Sequence, residues 1–224
     1  ETISPTILIH SRTVVEKQGY VGIGILSYLE GDVIEVEIEE NASFNLGDAV
    51  KIIIYSPAGI YVFNSTIIAK DIGVIIILNP PENQKKFDEK RSHPRLELFK
   101  AAQIHAITYP NLETPFFYQK PLDFFVNNIS AGGLGFTYKN EAGLDLQPGT
   151  RMEVRMDLGF PFVGQIEILR TDKHVTELHI GSKYVDLSNT VMSSLRAFLL
   201  TRQVKAYFEK KKAQEKDVKK REFK

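Results

Sequence analysis

The sequence predicts an all-β protein: two small antiparallel β-barrel domains in tandem, with a C-terminal α-helix. Three observations carry this expectation. Short runs rich in β-branched residues, separated by turn residues, fill the chain to about residue 80 and resume at residue 96. A proline-broken, charged stretch divides the two series. From Ser188 the apolar period lengthens from that of a strand to that of a helix. The expected boundaries are 1–82 for the N-terminal barrel, 83–95 for a linker, 96–188 for the second barrel and 189–224 for the helix and a charged tail.

In the first series, Ile34, Val36 and Ile38 alternate with Val33, Glu35, Glu37 and Glu39, so the Val33–Glu39 face is expected to be wet. Lys51–Tyr55 and Val74–Leu78 are short apolar runs, and turns are expected at Gly31-Asp32, Gly47-Asp48 and Ser56-Pro57-Ala58-Gly59. Gly22 and Gly24 read as strand or turn glycines. Many short strands with frequent turns suit a small barrel or sandwich. Asn79 to Lys90, with Pro80 and Pro81 at its head, then reads as a linker.

The second series opens with Leu96, Leu98, Ala102 and Ile104 on one strand face. Phe124 to Asn127 leads into a turn at Ser130, and Leu134 to Tyr138 leads out. Met152, Val154, Met156 and Leu158 alternate; Phe162 to Leu169 and Val175 to Tyr184 are further strands. Leu144–Gly149 and Leu158–Pro161 read as connections. Ser188 is a candidate N-cap, and Val191, Leu195, Phe198, Leu199 and Arg202 recur at helical spacing. Lys205–Lys224 holds nine basic and four acidic residues, net +5; Tyr207 and Phe208 are expected to end the packed part, and the basic tail reads as a solvated helix end, with membrane or partner contact as the alternative. No internal repeat is legible.

The 224-residue chain balances 28 basic against 28 acidic residues, which argues against general nucleic-acid binding but not against one small anion at a local cationic site. With no cysteine, disulfides and thiolate metal sites are excluded, and a reducing cytoplasm is permitted. No apolar run approaches the ~18 residues of a membrane helix. No signal peptide is expected at the N-terminus, and a start at Glu1 rather than Met fits a trimmed leader.

Two short motifs carry the chemistry. Arg91-Ser-His-Pro-Arg95 sets two guanidinium groups four residues apart, on a segment that Pro94 keeps out of the helical region. Asn128-Ile-Ser130-Ala-Gly132-Gly133 follows, with an amide, a hydroxyl and glycines that allow positive φ or close backbone approach. Guanidinium binds phosphate bidentately, reads a guanine edge and stacks on bases. Each motif alone also fits a plainer role, the arginines as a solvated charge pair and Asn-x-Ser as a turn bonded to its own backbone.

Together, in this order and on β-type sequence, the motifs resemble the PilZ family of bacterial cyclic di-GMP receptors, over about residues 86–200. The resemblance implies that Arg91 and Arg95 clamp phosphates and guanines, and that Asn128, Ser130 and Gly133 receive a guanine at the barrel surface. Asn128 stands where Asp is commoner, which removes a negative charge. Gly181 matches a glycine near the end of the family's last strand. Lys90 takes a position that influences whether one or two ligand molecules stack, and a cation there favours two. His93 touches ligand from its place in the motif. Residues 1–80 look like the β-rich N-terminal domain of the flagellar-brake type of PilZ protein, a looser match resting on the all-β reading and Asn79-Pro80-Pro81.

The remaining candidates are weaker. His10, His93, His105, His174 and His179 show no metal-ligand spacing, and Asp123, Asp172 and Asp186 have no visible catalytic partner. No nucleophile-elbow, zinc-helix or phosphate-loop pattern occurs. The expectation is a cytoplasmic, non-catalytic receptor in second-messenger signalling, with no metal and no cofactor besides its ligand. Binding at the linker changes the arrangement of the domains and controls a protein partner in the flagellar motor or in surface-polysaccharide synthesis, hence motility or biofilm. The rival readings are a PilZ-fold adaptor that binds no nucleotide, and a β-barrel hydrolase or sugar-modifying enzyme. Arg91 and Arg95 oppose the adaptor; the hydrolase lacks a carboxylate cluster or nucleophile–base pair.

Overall fold

The computed structural model describes residues 4–84, 95–139, 143–174 and 177–222, with side chains described to residue 213. Contacts divide the chain into two units, Glu1–Ser92 with Gln203–Lys224, and His93–Arg202. In the first, β1 (Arg12–Lys17), β2 (Tyr20–Glu30), β3 (Val33–Glu37), β4 (Ala49–Ser56), β5 (Gly59–Asp71) and β6 (Val74–Leu78) close into an antiparallel barrel of order β1-β2-β3-β6-β5-β4. A short helix α1 (Pro81–Gln84) follows. In the second unit, β7 (Leu96–Thr108), β8 (Phe116–Ile129), β9 (Leu134–Lys139), β10 (Arg151–Asp157), β11 (Pro161–Lys173) and β12 (Glu177–Asp186) close in the order β10-β11-β12-β9-β8-β7.

Read around the ring from β7, the second order is that of the first. The match extends to irregularities. The β2–β3 register shifts between Leu26 and Tyr28, and the β8–β9 register between Val126 and Asn128. The β5–β6 and β11–β12 ladders shift at Ile67/Ala69 and Ile168/Arg170. Gly47 N–H donates to Ile67 O and Ile67 N–H to Asp48 O, at 2.9 and 3.0 Å; Gly149, Ile168 and Thr150 repeat this at 2.8 and 2.9 Å. Both glycines sit at positive φ, 84° and 88°, which an L side chain would strain. The chain therefore contains a structural repeat that its side chains conceal.

Period-two alternation builds each core. Val50, Ile52 and Ile54 of β4 point inward while Lys51 and Tyr55 stay exposed. Gly22 and Gly24 lie in strand β2 with their missing Cβ positions facing Ile38, Phe44 and the β3 backbone, so the fully buried Phe44 occupies space they vacate. The second core gathers Phe124, Phe136, Phe162, Met152 and Val154, together with Leu195 and Leu199 of helix α2 (Asn189–Glu222). Ser188 caps that helix, its hydroxyl accepting from Val191 N–H at 3.2 Å.

One expectation fails. Val33 and Glu35, assigned to a wet face, are buried. In the first unit Val33 and Ile76 pack with Tyr207, beside Tyr28, Val204 and Phe208. Glu35 accepts from Lys211 Nζ at 3.0 Å and from Ser27 Oγ at 2.6 Å. Gln203 pairs with Asp32 through side chain and backbone, at 2.7 and 3.0 Å. The basic segment is thus a packed helix at least as far as Lys211, with its cation offsetting the cost of burying a carboxylate.

Candidate functional site

Four residues stand side by side on the outer surface of the second barrel. Asn128 of β8 pairs with Gly135 of β9, Gly135 with Gly181 of β12, and Gly181 with Arg170 of β11. The two middle residues have no side chain because their neighbours use the space. A Cβ on Gly135 would collide with the Asn128 amide, and one on Gly181 would lie 2.9 Å from Arg170 Nε. The next row holds Phe125, Thr137, His179 and Asp172. Asn127 Nδ2 donates to Thr137 Oγ1 at 2.6 Å. Together with Arg95, just before β7, these strands line a cleft of about 100 Å³ whose walls include Asn128, Gly135, Arg170, His179 and Gly181.

Ser130 and Gly133 sit elsewhere. The buried Ser130 hydroxyl donates to Gly133 O at 3.3 Å and accepts from Gly132 N–H at 3.2 Å. Gly133 is needed for close approach, since a Cβ would collide with Ser182 O; positive φ plays no part. Tyr184 N–H donates to Gly132 O at 3.0 Å, and Ser182 Oγ to Leu134 O at 3.0 Å. Burial holds the Tyr184 phenol well above its usual pKa range, so it stays neutral. These bonds pin the turn to β12, and the pinned turn fixes the end of β8 that carries Asn128. Of the other sequence-derived site residues, Lys90, Arg91 and His93 lie outside the described residues.

Chemically, the cleft offers two guanidinium groups, one carboxylate, one imidazole and the two amides of Asn127 and Asn128, which both donate and accept, over a floor that includes two glycines. Such a surface suits a planar base bearing phosphate. Arg170, Asp172, His179 and Gly135 escaped the sequence reading because register alone brings them to Asn128. On β12 the available signal was parity, since His179-x-Gly181 alternates with the buried Leu178 and Ile180; on β11 the register shift between Ile168 and Arg170 breaks the alternation of Phe162, Gly164, Ile166 and Ile168 and turns Arg170 and Asp172 outward. His179 is further flanked by the His174 ring at 4.6 Å, edge to face.

A family model described as PilZ domain matches residues 89–201, half of the chain. The chain belongs to the PilZ domain family. PilZ proteins are cyclic di-GMP receptors, and both sequence motifs and the glycine-floored cleft lie in the matched span. Similar solved structures include the Bacillus subtilis inhibitor of motility MotI/DgrA, 15% identical, covering 88% of this chain and 98% of that one, TM-score 0.42. YcgR of Escherichia coli in complex with c-di-GMP is 15% identical over 91% and 88% of the two chains, TM-score 0.42. The K. pneumonia MrkH–c-di-GMP complex is 12% identical over 89% and 90%, TM-score 0.42. Comparison with curated proteins gives no match.

Proposed function

We propose that this chain is a cyclic di-GMP receptor that holds its ligand at the cleft of the second barrel. One observation carries the reading: Arg95 and Asn128, from motifs separated in sequence, line the same cleft. Arg95 and Arg170 bind phosphate and guanine edges, Asn128 completes a guanine contact, and the Gly135–Gly181 floor admits the flat base. Arg91, His93 and Lys90 join from the linker, Lys90 favouring two stacked ligands. Each charge-assisted hydrogen bond contributes about 1.5–3 kcal/mol and each stacked base about 1–3 kcal/mol. A few of each reach about −8 kcal/mol, or micromolar affinity.

The role is reception in the cytoplasm rather than catalysis. Ligand contacts made in only one conformation of the linker give differential affinity, which shifts the arrangement of the domains. The output is control of a protein partner, a flagellar-motor or polysaccharide-synthesis component. Calorimetric titration with cyclic di-GMP, cyclic di-AMP and GTP tests the assignment. Saturating heat with the first alone, abolished by Arg95→Ala at unchanged melting temperature, is expected. Absence of heat from the folded wild-type chain overturns it and leaves the nucleotide-free adaptor.

A further inference from the structure

The outer surface of the first barrel carries an apolar face. Val21, Ile23 and Ile25 of β2, Tyr55 of β4, and Ile60 and Val62 of β5 are each 45–65% exposed. Strand register arranges them in three rows across β2, β1, β4 and β5. The middle row is Ile23, Val14, Ile53 and Val62, without a polar side chain. One flanking row is Ile25, Arg12, Tyr55 and Ile60; the other is Val21, Glu16, Lys51 and Asn64. The exposed apolar surface is on the order of 500 Å², among the largest patches that monomers carry. With its rim it approaches the ~800 Å² per partner of a standard interface.

We propose that this face is a two-fold interface between two copies of the chain. The charges select both the occupant and the axis. An axis running along the middle row sets each middle residue against its own copy and exchanges the flanking rows. Arg12 then meets Glu16 of the other copy, Tyr55 meets Lys51, and Ile25 meets Val21. An axis along β1 would instead oppose Arg12 to Arg12 and Glu16 to Glu16, a like-charge arrangement that disfavours it. Glu16 already lies 3.3 Å from Lys51 within one chain, so pairing adds Arg12 of the second copy to that pair, giving a three-charge cluster on each side of the apolar row. The two faces pack as aligned sheets do, about 10 Å apart.

Sedimentation velocity on the full chain, from about 1 to 100 µM, measures the equilibrium that an interface of this size implies. A monomer–dimer equilibrium is expected, and Ile23→Glu or Val62→Lys raises its dissociation constant at least about tenfold. Both side chains are exposed, so the melting temperature of the monomer stays unchanged. Arg12→Glu and Glu16→Arg each weaken the dimer, and an equimolar mixture of those two variants restores it, because each then faces its opposite charge. A chain that remains monomeric at about 100 µM overturns the proposal and assigns the face to a different protein. A dimer indifferent to both apolar substitutions, or a mixture that fails to recover, overturns it equally.

Discussion

Tyr28, Glu35, Ile76 and Ala69 stand side by side on β2, β3, β6 and β5, as Asn128, Gly135, Gly181 and Arg170 do on β8, β9, β12 and β11. Equivalent strands carry the two rows, and equivalent register shifts precede them. In the first barrel the middle positions are Glu and Ile, and the row is covered. Ile76 packs with Tyr207, the Tyr28 and Tyr207 rings lie 5.1 Å apart, and Lys211 reaches Glu35. In the second barrel the middle positions are glycines, and a cleft remains between Asn128 and Arg170. One place on a common scaffold therefore serves two ends. Bulk on the middle strands makes a seat for a helix; its removal leaves an open cleft, which under the proposed function takes a flat ligand.

The seat of the first barrel gives the largest expected effect. Tyr207→Ala removes a buried ring, with an expected cost of about 3 kcal/mol. Thermal melting should register this as a fall of roughly 6–12 °C. Affinity at the second barrel should not change. A melting temperature that does not move would show that the row needs no cover.

Converting the second row toward the first is the next test. Gly181→Ile places at the floor of the cleft the residue that Ile76 is in the first barrel. The contact it makes is with the flexible Arg170 side chain, so the fold should tolerate it. Cyclic di-GMP affinity should drop at least about tenfold, the loss of one good contact. Retained affinity, measured by calorimetry, would detach the ligand from this row.

Ser130→Ala separates the turn from the cleft. The hydroxyl bonds only within its own turn among the described residues, so the expected loss is about 1 kcal/mol of stability, with a smaller change in affinity. An affinity loss exceeding the stability loss would give Ser130 a direct contact with ligand.

The smallest effect concerns pH. Lys183, 2.9 Å away, and Arg151 hold the Glu167 carboxyl below its ordinary range on β11 of the second barrel. A depressed carboxyl stabilises the fold above its unfolded-state pKa, and that contribution is lost as pH falls through the folded-state value. Solvent and salt screen this surface ion pair, whose carboxyl is partly buried. Melting temperatures of wild type and Glu167→Gln should differ slightly at neutral pH and converge as acidification protonates the carboxyl.

The inward faces of the strands were legible because their alternation is local. So was the Ser188 cap, which needs only its own first turn. The face bearing Val33 and Glu35 was misread because the residue that buries and neutralises Glu35 lies 176 positions away. The repeat was illegible because equivalent positions hold unlike residues, Tyr28 against Asn128 and Ile76 against Gly181. At the site, Arg95 and Asn128 could be named from motifs. Arg170 and His179 could not, since each becomes a neighbour of Asn128 only through the β11–β12–β9–β8 register. The Ser130 hydroxyl, read from its motif as a ligand contact, bonds within its own turn among the described residues, a pairing that the motif alone did not reveal.

Hydrogen exchange of the full chain with and without cyclic di-GMP tests the contrast between the two rows most directly. Slowed exchange is predicted at the second-barrel row, around Asn128, Gly135, Gly181 and Arg170, with no change at Tyr28, Glu35, Ile76 and Ala69. Protection confined to the first barrel, or none at saturating ligand, would contradict the assignment of the open row to ligand and the filled row to the helix.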